Sequence, residues 1–214
     1  MAVQKAKLVF NGESIPHWHI VGYYTLETGL DGLSRSIRAF KDGHVLHTEA
    51  WTDCAIAALE EAGLQTGHIL LRPLSHQEYK ADEEDLFIPI DVLCAQVSAH
   101  FNAVYLPRMM VKKWHIEPLR GKSAREREQM LKRVYKLNAE YKGMDVSRFW
   151  LIDDVLTTGT TIKAIISVLR QHYPTTPISI FTLARTDDDA ARNENLFPSG
   201  KRYRWTPTGI WESI

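Results

Sequence analysis

The chain sets out its apolar residues in short runs and helical stripes separated by polar turns. Ala6 to Phe10, the Asn11-Gly12 pair and Ile20 to Leu26 read as a hairpin, with Pro16 delaying the second arm. Leu30, Leu33, Ile37 and Phe40 recur at helical spacing, and Gly43 follows as a stop. Residues 51–62 are rich in alanine, end at Gly63 and predict a second helix. His68 to Pro73 reads as a short strand broken by proline, and the polar run 75–85 as a loop. Pro89 precedes a helical pattern with Leu93, Val97 and Phe101 on one face. Val104 to Val111 reads as a strand. Ser123 to Tyr141, inside the highly charged span 112–142, reads as an exposed helix. Arg148 to Ile152 is an apolar strand entering Asp153-Asp154. Thr160 to His172 predicts a helix with Ile162, Ile165, Ile166 and Leu169 on one face, and Ile178 to Ala184 a last strand.

Strands alternate with helices over 51–185, the pattern of an α/β domain with a parallel sheet. No fixed-period repeat is visible. The chain divides into an N-terminal hairpin and helix over 1–50, a core over 51–190, and an aperiodic tail over 191–214 packing on the rest.

Composition narrows the function classes. A length of 214 residues suits one domain, or one domain with a modest addition. Hydrophobic residues make up 44% and charged residues 24%, which argues against disorder across the chain. Lys plus Arg is 26 and Asp plus Glu is 26, so the chain lacks the electrostatic footprint of a general nucleic-acid binder. No apolar run is long enough for a membrane span, and the N-terminus has no apolar core of signal-peptide length; the expected location is the cytoplasm. Cys54 and Cys94 read as buried small hydrophobes, and the absence of CxxC excludes the usual cysteine zinc site. His17-x-His19 and His44-x-x-His47 lack a clear carboxylate partner pattern and read as surface or partly buried histidines rather than metal ligands.

The chemistry concentrates in Phe149 to Thr161. A buried strand delivers Asp153 and Asp154; a loop of Thr157, Thr158 and Gly159 follows; then a helix opens with Thr160 and Thr161. In open α/β sheets, ligands bind beyond the carboxyl ends of strands. The loop amides and the helix N-terminus favour a phosphate, and Gly159 lets the backbone come close to it. The carboxylates would repel a bare phosphate. A ligand that uses both features carries phosphate at one end and hydroxyls or a metal at the other, as ribose 5-phosphate does. The P-loop signature GxxxxGK[ST] is absent, and so is the Asp-x-Asp order of nucleophilic aspartates.

LIDDVLTTGTT resembles the phosphoribosyl pyrophosphate (PRPP) motif of type I phosphoribosyltransferases. Within that family, GYYTLETGLDGLSRSIRAFKDG, ILLRPLS, SAREREQMLKRVY and TLART are similar, in the same order, to the ComF-like, amidophosphoribosyltransferase-related branch. The likeness spans residues 20–186; the DDVLTTGTT piece is the specific part. It implies a type I phosphoribosyltransferase-like parallel sheet flanked by helices, with a small hood built from the chain ends. It also implies Mg²⁺, transfer of phosphoribosyl from PRPP to a nitrogen nucleophile with release of pyrophosphate, and a homodimer as a state common in the superfamily. Asp153 and Asp154 would bind the ribose hydroxyls and support the substrate's Mg²⁺. Val155, Leu156, Thr157, Thr158, Gly159, Thr160 and Thr161 would form the 5-phosphate site. Arg72, Leu74, Ser75 and His76 would face the pyrophosphate, and Lys112, Lys113, Arg120, Lys122 and Arg125 would belong to a mobile loop over the reacting centre. Tyr203, Trp205 and Trp211, with Trp18, Tyr23 and Tyr24, are candidates for covering the site or stacking on a nucleobase.

The chain departs from the branch in two places, and from purine-salvage relatives in a third. The cysteine-rich zinc module is absent. The Arg-Gly-Phe-Asn-Gln stretch after the pyrophosphate loop is replaced by the acidic segment Glu78 to Leu86. Thr157 stands where purine-salvage relatives carry an acidic base, which argues against hypoxanthine or guanine as acceptor. A non-catalytic nucleotide-binding or DNA-uptake-associated module is the alternative reading.

Overall fold

The computed structural model describes residues 3–23, 32–75, 78, 87–117, 122–131 and 133–186, together with the backbone of strands at 203–205 and 211–213. Strands β1 (Gln4–Phe10) and β2 (Glu13–Tyr23) form the hairpin, and helices α1 (Gly32–Lys41) and α2 (Val45–Ala62) follow. Then come β3 (Ile69–Leu71), α3 (Pro89–Phe101), β4 (Val104–Tyr105) and β5 (Met110–Lys112). Helix α4 (Ala124–Leu131), β6 (Tyr135–Leu137), β7 (Phe149–Leu156), α5 (Thr160–His172) and β8 (Ile178–Thr186) complete the body, and β9 (Tyr203–Trp205) pairs antiparallel with β10 (Trp211–Ser213).

The central sheet has the order β1-β2-β8-β7-β3-β4. Every neighbour is parallel except the β1–β2 hairpin. The chain is therefore a mixed α/β protein with a mostly parallel sheet between helices. Alternation along β7 shows how the layers form. Phe149 and Leu151 join the core shared with α5 and the small β5–β6 sheet, while Trp150 and Ile152 join the core shared with α1, α2 and α3. On α5, Ile162, Ile165, Ile166 and Leu169 recur on one face and are buried on the first of these cores. Gly63 ends α2 at φ 87°, with its N–H on the Glu60 carbonyl, and Asn102 ends α3 at φ 50°.

Several elements differ from the pattern-based expectation. The second hairpin arm begins at Glu13 rather than Ile20. Pro16 fits because it lies opposite Lys7 of β1, ahead of His17, where pairing with β8 begins. Helix α2 starts at Val45, six residues before the alanine-rich run. The expected strand from Val104 to Val111 is two strands in two sheets, with Pro107 between them. The expected helix from Ser123 to Tyr141 stops at Leu131. Arg133 takes the left-handed conformation (φ 62°), and Tyr135–Leu137 pair with β5 because Tyr135 and Leu137 have a core to enter. Strand β7 runs on to Leu156, so the acid pair lies inside the strand. Residues 1–50 contribute β1 and β2 to the central sheet itself. Leu30 and Tyr24 lie outside the described residues.

Candidate functional site

Strands β3 and β7 are parallel neighbours, so the segments that follow them emerge side by side at the carboxyl edge of the sheet. There Leu74 and Ser75, after β3, share a cavity of about 200 Å³ with Asp153, Asp154 and Thr161. Ile88, Ile90, Ile116, Leu131 and Tyr135 supply apolar and aromatic wall. The structure thus brings the segment after β3 against the acid pair and the start of α5, which lie about 80 residues further along the chain.

Both acids are half-buried. Asp153 Oδ1 accepts the Asp154 N–H at 2.9 Å, and Asp154 Oδ1 accepts the Val155 N–H at 2.6 Å. Asp154 Oδ1 also accepts a hydrogen bond from Lys41 Nζ at 2.9 Å. Desolvation and then the charge of Asp154 raise the Asp153 carboxyl to about 7; Lys41 and Arg72 pull in the opposite direction. Burial works against the Lys41 ammonium, but the charge of Asp154 and its hydrogen bond more than offset it, so that amine is raised. Lys41 is a site residue that sequence reading passed over. It lies in the Phe40-Lys41-Asp42-Gly43 run, where nothing local ties the end of α1 to an aspartate 113 residues later.

The loop beyond β7 is short. Gly159 caps α5 in the left-handed conformation at φ 70°, and a Cβ there would come within 2.9 Å of Leu8 Cδ1. Thr158 and Thr160 hydroxyls are 2.8 Å apart, and Arg127 Nη1 donates to Thr157 Oγ1 at 3.4 Å. Val155 and Leu156 are strand residues packed against the two cores, so their side chains turn to the interior. Thr158 and Thr160 line a second, larger groove of about 1030 Å³ together with Lys113, Arg125 and Lys163.

The remaining cations stand differently from the sequence expectation. Arg72 is a buried hub. Its Nη1 and Nη2 donate to Glu78 Oε2 and Oε1 at 2.8 and 2.7 Å, and its Nε to Asp91 and to the Tyr105 hydroxyl at 2.8 Å each. It therefore braces the segment after β3 from within and does not line the cavity. Lys112 is fully buried in β5, and its Nζ donates to the Ser75 carbonyl, which makes it a fixed post beneath that segment instead of part of a mobile loop. Lys122 pairs with Glu117 at 3.2 Å, and Lys113 and Arg125 sit on the larger groove. His76 and Arg120 lie outside the described residues, as do the side chains of Tyr203, Trp205 and Trp211.

The histidine pairs have protein partners. His17 Nε2 pairs with Thr182 Oγ1 at 2.9 Å, and its ring stacks on His19 at 5.1 Å. Burial, then the neighbouring His19 and Arg185, lower His17 to about 3. His47 Nδ1 pairs with Ser36 Oγ at 2.8 Å.

No protein-family model matches the chain. Among solved structures, the adenylation domain of a carboxylate reductase from Mycobacterium chelonae aligns with 99% of this chain, which spans 30% of that one. The identity is 10% and the TM-score 0.26, a level that carries no argument about fold. The chain is 27% identical over 186 residues to Competence protein F of Haemophilus influenzae, covering 79% of this chain and 74% of that protein. That likeness supports a ComF-like relationship for the chain.

Proposed function

We propose that the cavity at the carboxyl edge binds the ribose 5-phosphate part of PRPP, and that the protein transfers phosphoribosyl to a nitrogen nucleophile. One observation carries the reading: Asp153, Asp154 and Thr161 share a single cavity with Leu74 and Ser75. The acids accept hydrogen bonds from the ribose hydroxyls. The amides of the Thr157–Gly159 loop and the first turn of α5 hold the phosphate, helped by the helix dipole. The half-buried acid pair is an oxygen-donor set that fits Mg²⁺ carried in with the substrate, and close placement of two carboxylates is what a divalent cation relieves. Bound Mg²⁺ supplies neutralisation of the departing pyrophosphate. In the transfer, the C1–oxygen bond to pyrophosphate breaks, a C1–nitrogen bond forms, and the nitrogen loses its proton. The apolar wall of Ile88, Ile90 and Ile116 limits water near C1.

The test is titration calorimetry with PRPP and Mg²⁺. Wild-type protein is expected to bind, and Asp153→Asn/Asp154→Asn to lose at least tenfold in affinity. Equal binding by the two proteins would remove the role given to the acids.

The name of the Haemophilus relative favours a second reading, a non-catalytic module associated with DNA uptake. It predicts PRPP or nucleotide binding without turnover. Pyrophosphate release above background with a panel of amines and bases would eliminate it.

A further inference from the structure

The cavity holds two carboxylates and, among its described lining residues, no cation. Lys41 pairs with one of the two, Asp154; with no cation on its own lining, the cavity suits a sugar or a metal ion better than a polyanion. The two positive groups bound to the segment after β3 are turned to acceptors of the protein itself. Lys112 Nζ is on the Ser75 carbonyl, and Arg72 holds Glu78 and Asp91.

Glu78 occupies a particular set of donors. Its Oε1 takes Arg72 Nη2 at 2.7 Å, and its Oε2 takes both Arg72 Nη1 at 2.8 Å and the Ser75 backbone N–H at 2.7 Å. A guanidinium fork joined by a main-chain N–H is also the donor set that grips two oxygens of a phosphoryl group. The side chains of Arg72 and Glu78 are 1% and 4% exposed, so the carboxylate is enclosed as a bound anion would be. Arg72 does not depend on Glu78 alone for its countercharge. Asp91 and the Tyr105 hydroxyl hold Nε from the other side.

We infer that Glu78 is an internal stand-in for a phosphoryl group of pyrophosphate, and that its displacement controls whether the polyanionic end of the ligand can enter. The inference takes from the PRPP reading only the identity of the anion. With Glu78 withdrawn, two Arg72 donors and the Ser75 N–H become available beside the cavity, while Asp91 keeps the guanidinium in place. The acidic residue after the loop thereby acts as a plug instead of abolishing the site.

The experiment measures affinity for two probes in the full chain: inorganic pyrophosphate with Mg²⁺, and ribose 5-phosphate. The proteins are wild type, Glu78→Gln and Glu78→Ala. Both variants are expected to bind pyrophosphate at least tenfold more tightly than wild type and to bind ribose 5-phosphate within twofold of it. Should Glu78→Ala fail to fold, Glu78→Gln retains an acceptor oxygen for the Ser75 N–H and carries the measurement. Folded Glu78→Gln with pyrophosphate affinity unchanged or reduced overturns the inference and leaves Glu78 a purely structural partner of Arg72. The two failures are separable, because absence of ribose 5-phosphate binding by wild type defeats the cradle and says nothing against a gain in pyrophosphate affinity.

Discussion

Gly159 and His17 show how single residues set local limits. At Gly159, φ is 70° and a Cβ would approach Leu8 Cδ1 to 2.9 Å. Gly159→Ala therefore combines a left-handed alanine with a shift of Leu8. We expect a loss of about 1–2 kcal/mol from the strained backbone, read as a lower urea midpoint, and weaker binding of ribose 5-phosphate. The need for glycine was legible in the Thr-Thr-Gly-Thr-Thr run; Leu8 as the group that closes the space was not, because it arrives from the other end of the chain. His17 gives the pH dependence. Its folded pKa, about 3, lies below the unfolded value of 6.5, so the unfolded chain takes up a proton first as pH falls. Stability from this group is level above pH 6.5 and declines below it by up to about 1.4 kcal/mol per pH unit until both states are protonated. His17→Gln, compared with wild type by urea melts from pH 7.5 to 4.5, should show a shallower decline; equal slopes would remove the assignment.

At the scale of elements, the charged span after β4 shows why pattern reading failed where it did. Its polar composition suggested one exposed helix and a mobile loop. The pairing of β5 with β6 places Lys112, Tyr135 and Leu137 in buried positions that a charge count hides. This small sheet underlies the site: Lys112 and Tyr135 donate to the Ser75 and Leu74 carbonyls. Lys112→Met preserves the volume of the side chain but removes the charged one of two donors on the Ser75 carbonyl, leaving the Glu78 N–H at 3.1 Å. It should cost about 1–3 kcal/mol in chemical denaturation. At the end of α1, the Lys41–Asp154 pair is half-exposed, with side-chain exposures of 41% and 23%. Lys41→Met is therefore expected to change stability by less than about 1 kcal/mol. A larger loss would mean that α1 docks on β7 chiefly through this contact.

For the whole molecule, charge and topology carry the argument. Positive and negative formal charges balance at 26 each, so counterion release is expected to give little general affinity for nucleic acid. Gel shifts with single-stranded DNA should show binding that is weak at low salt and absent near 0.2 M, a salt level taken as roughly physiological; tight binding there would favour the DNA-uptake reading. No helix among the described residues is long and apolar enough to cross a membrane. The site exists because β3 lies beside β7 in the sheet, which sets residues 74 and 75 against residues 153 and 154.

The amino-acid order alone determined the α/β class, the faces of α3 and α5, and the strand, acid pair, threonine-glycine loop and helix that mark the candidate site. These depend on period and turn chemistry over a few residues, where each side chain's neighbours are known in advance. Tertiary structure decided which charges face the cavity and which are consumed inside the protein: Asp153 and Asp154 line it, with Lys41 on Asp154, while Arg72 is taken by Glu78 and Asp91 and Lys112 by Ser75. A guanidinium or ammonium has the same local signature whether it meets a ligand or a carboxylate of its own chain. The packing of helices and loops on the sheet chooses between them.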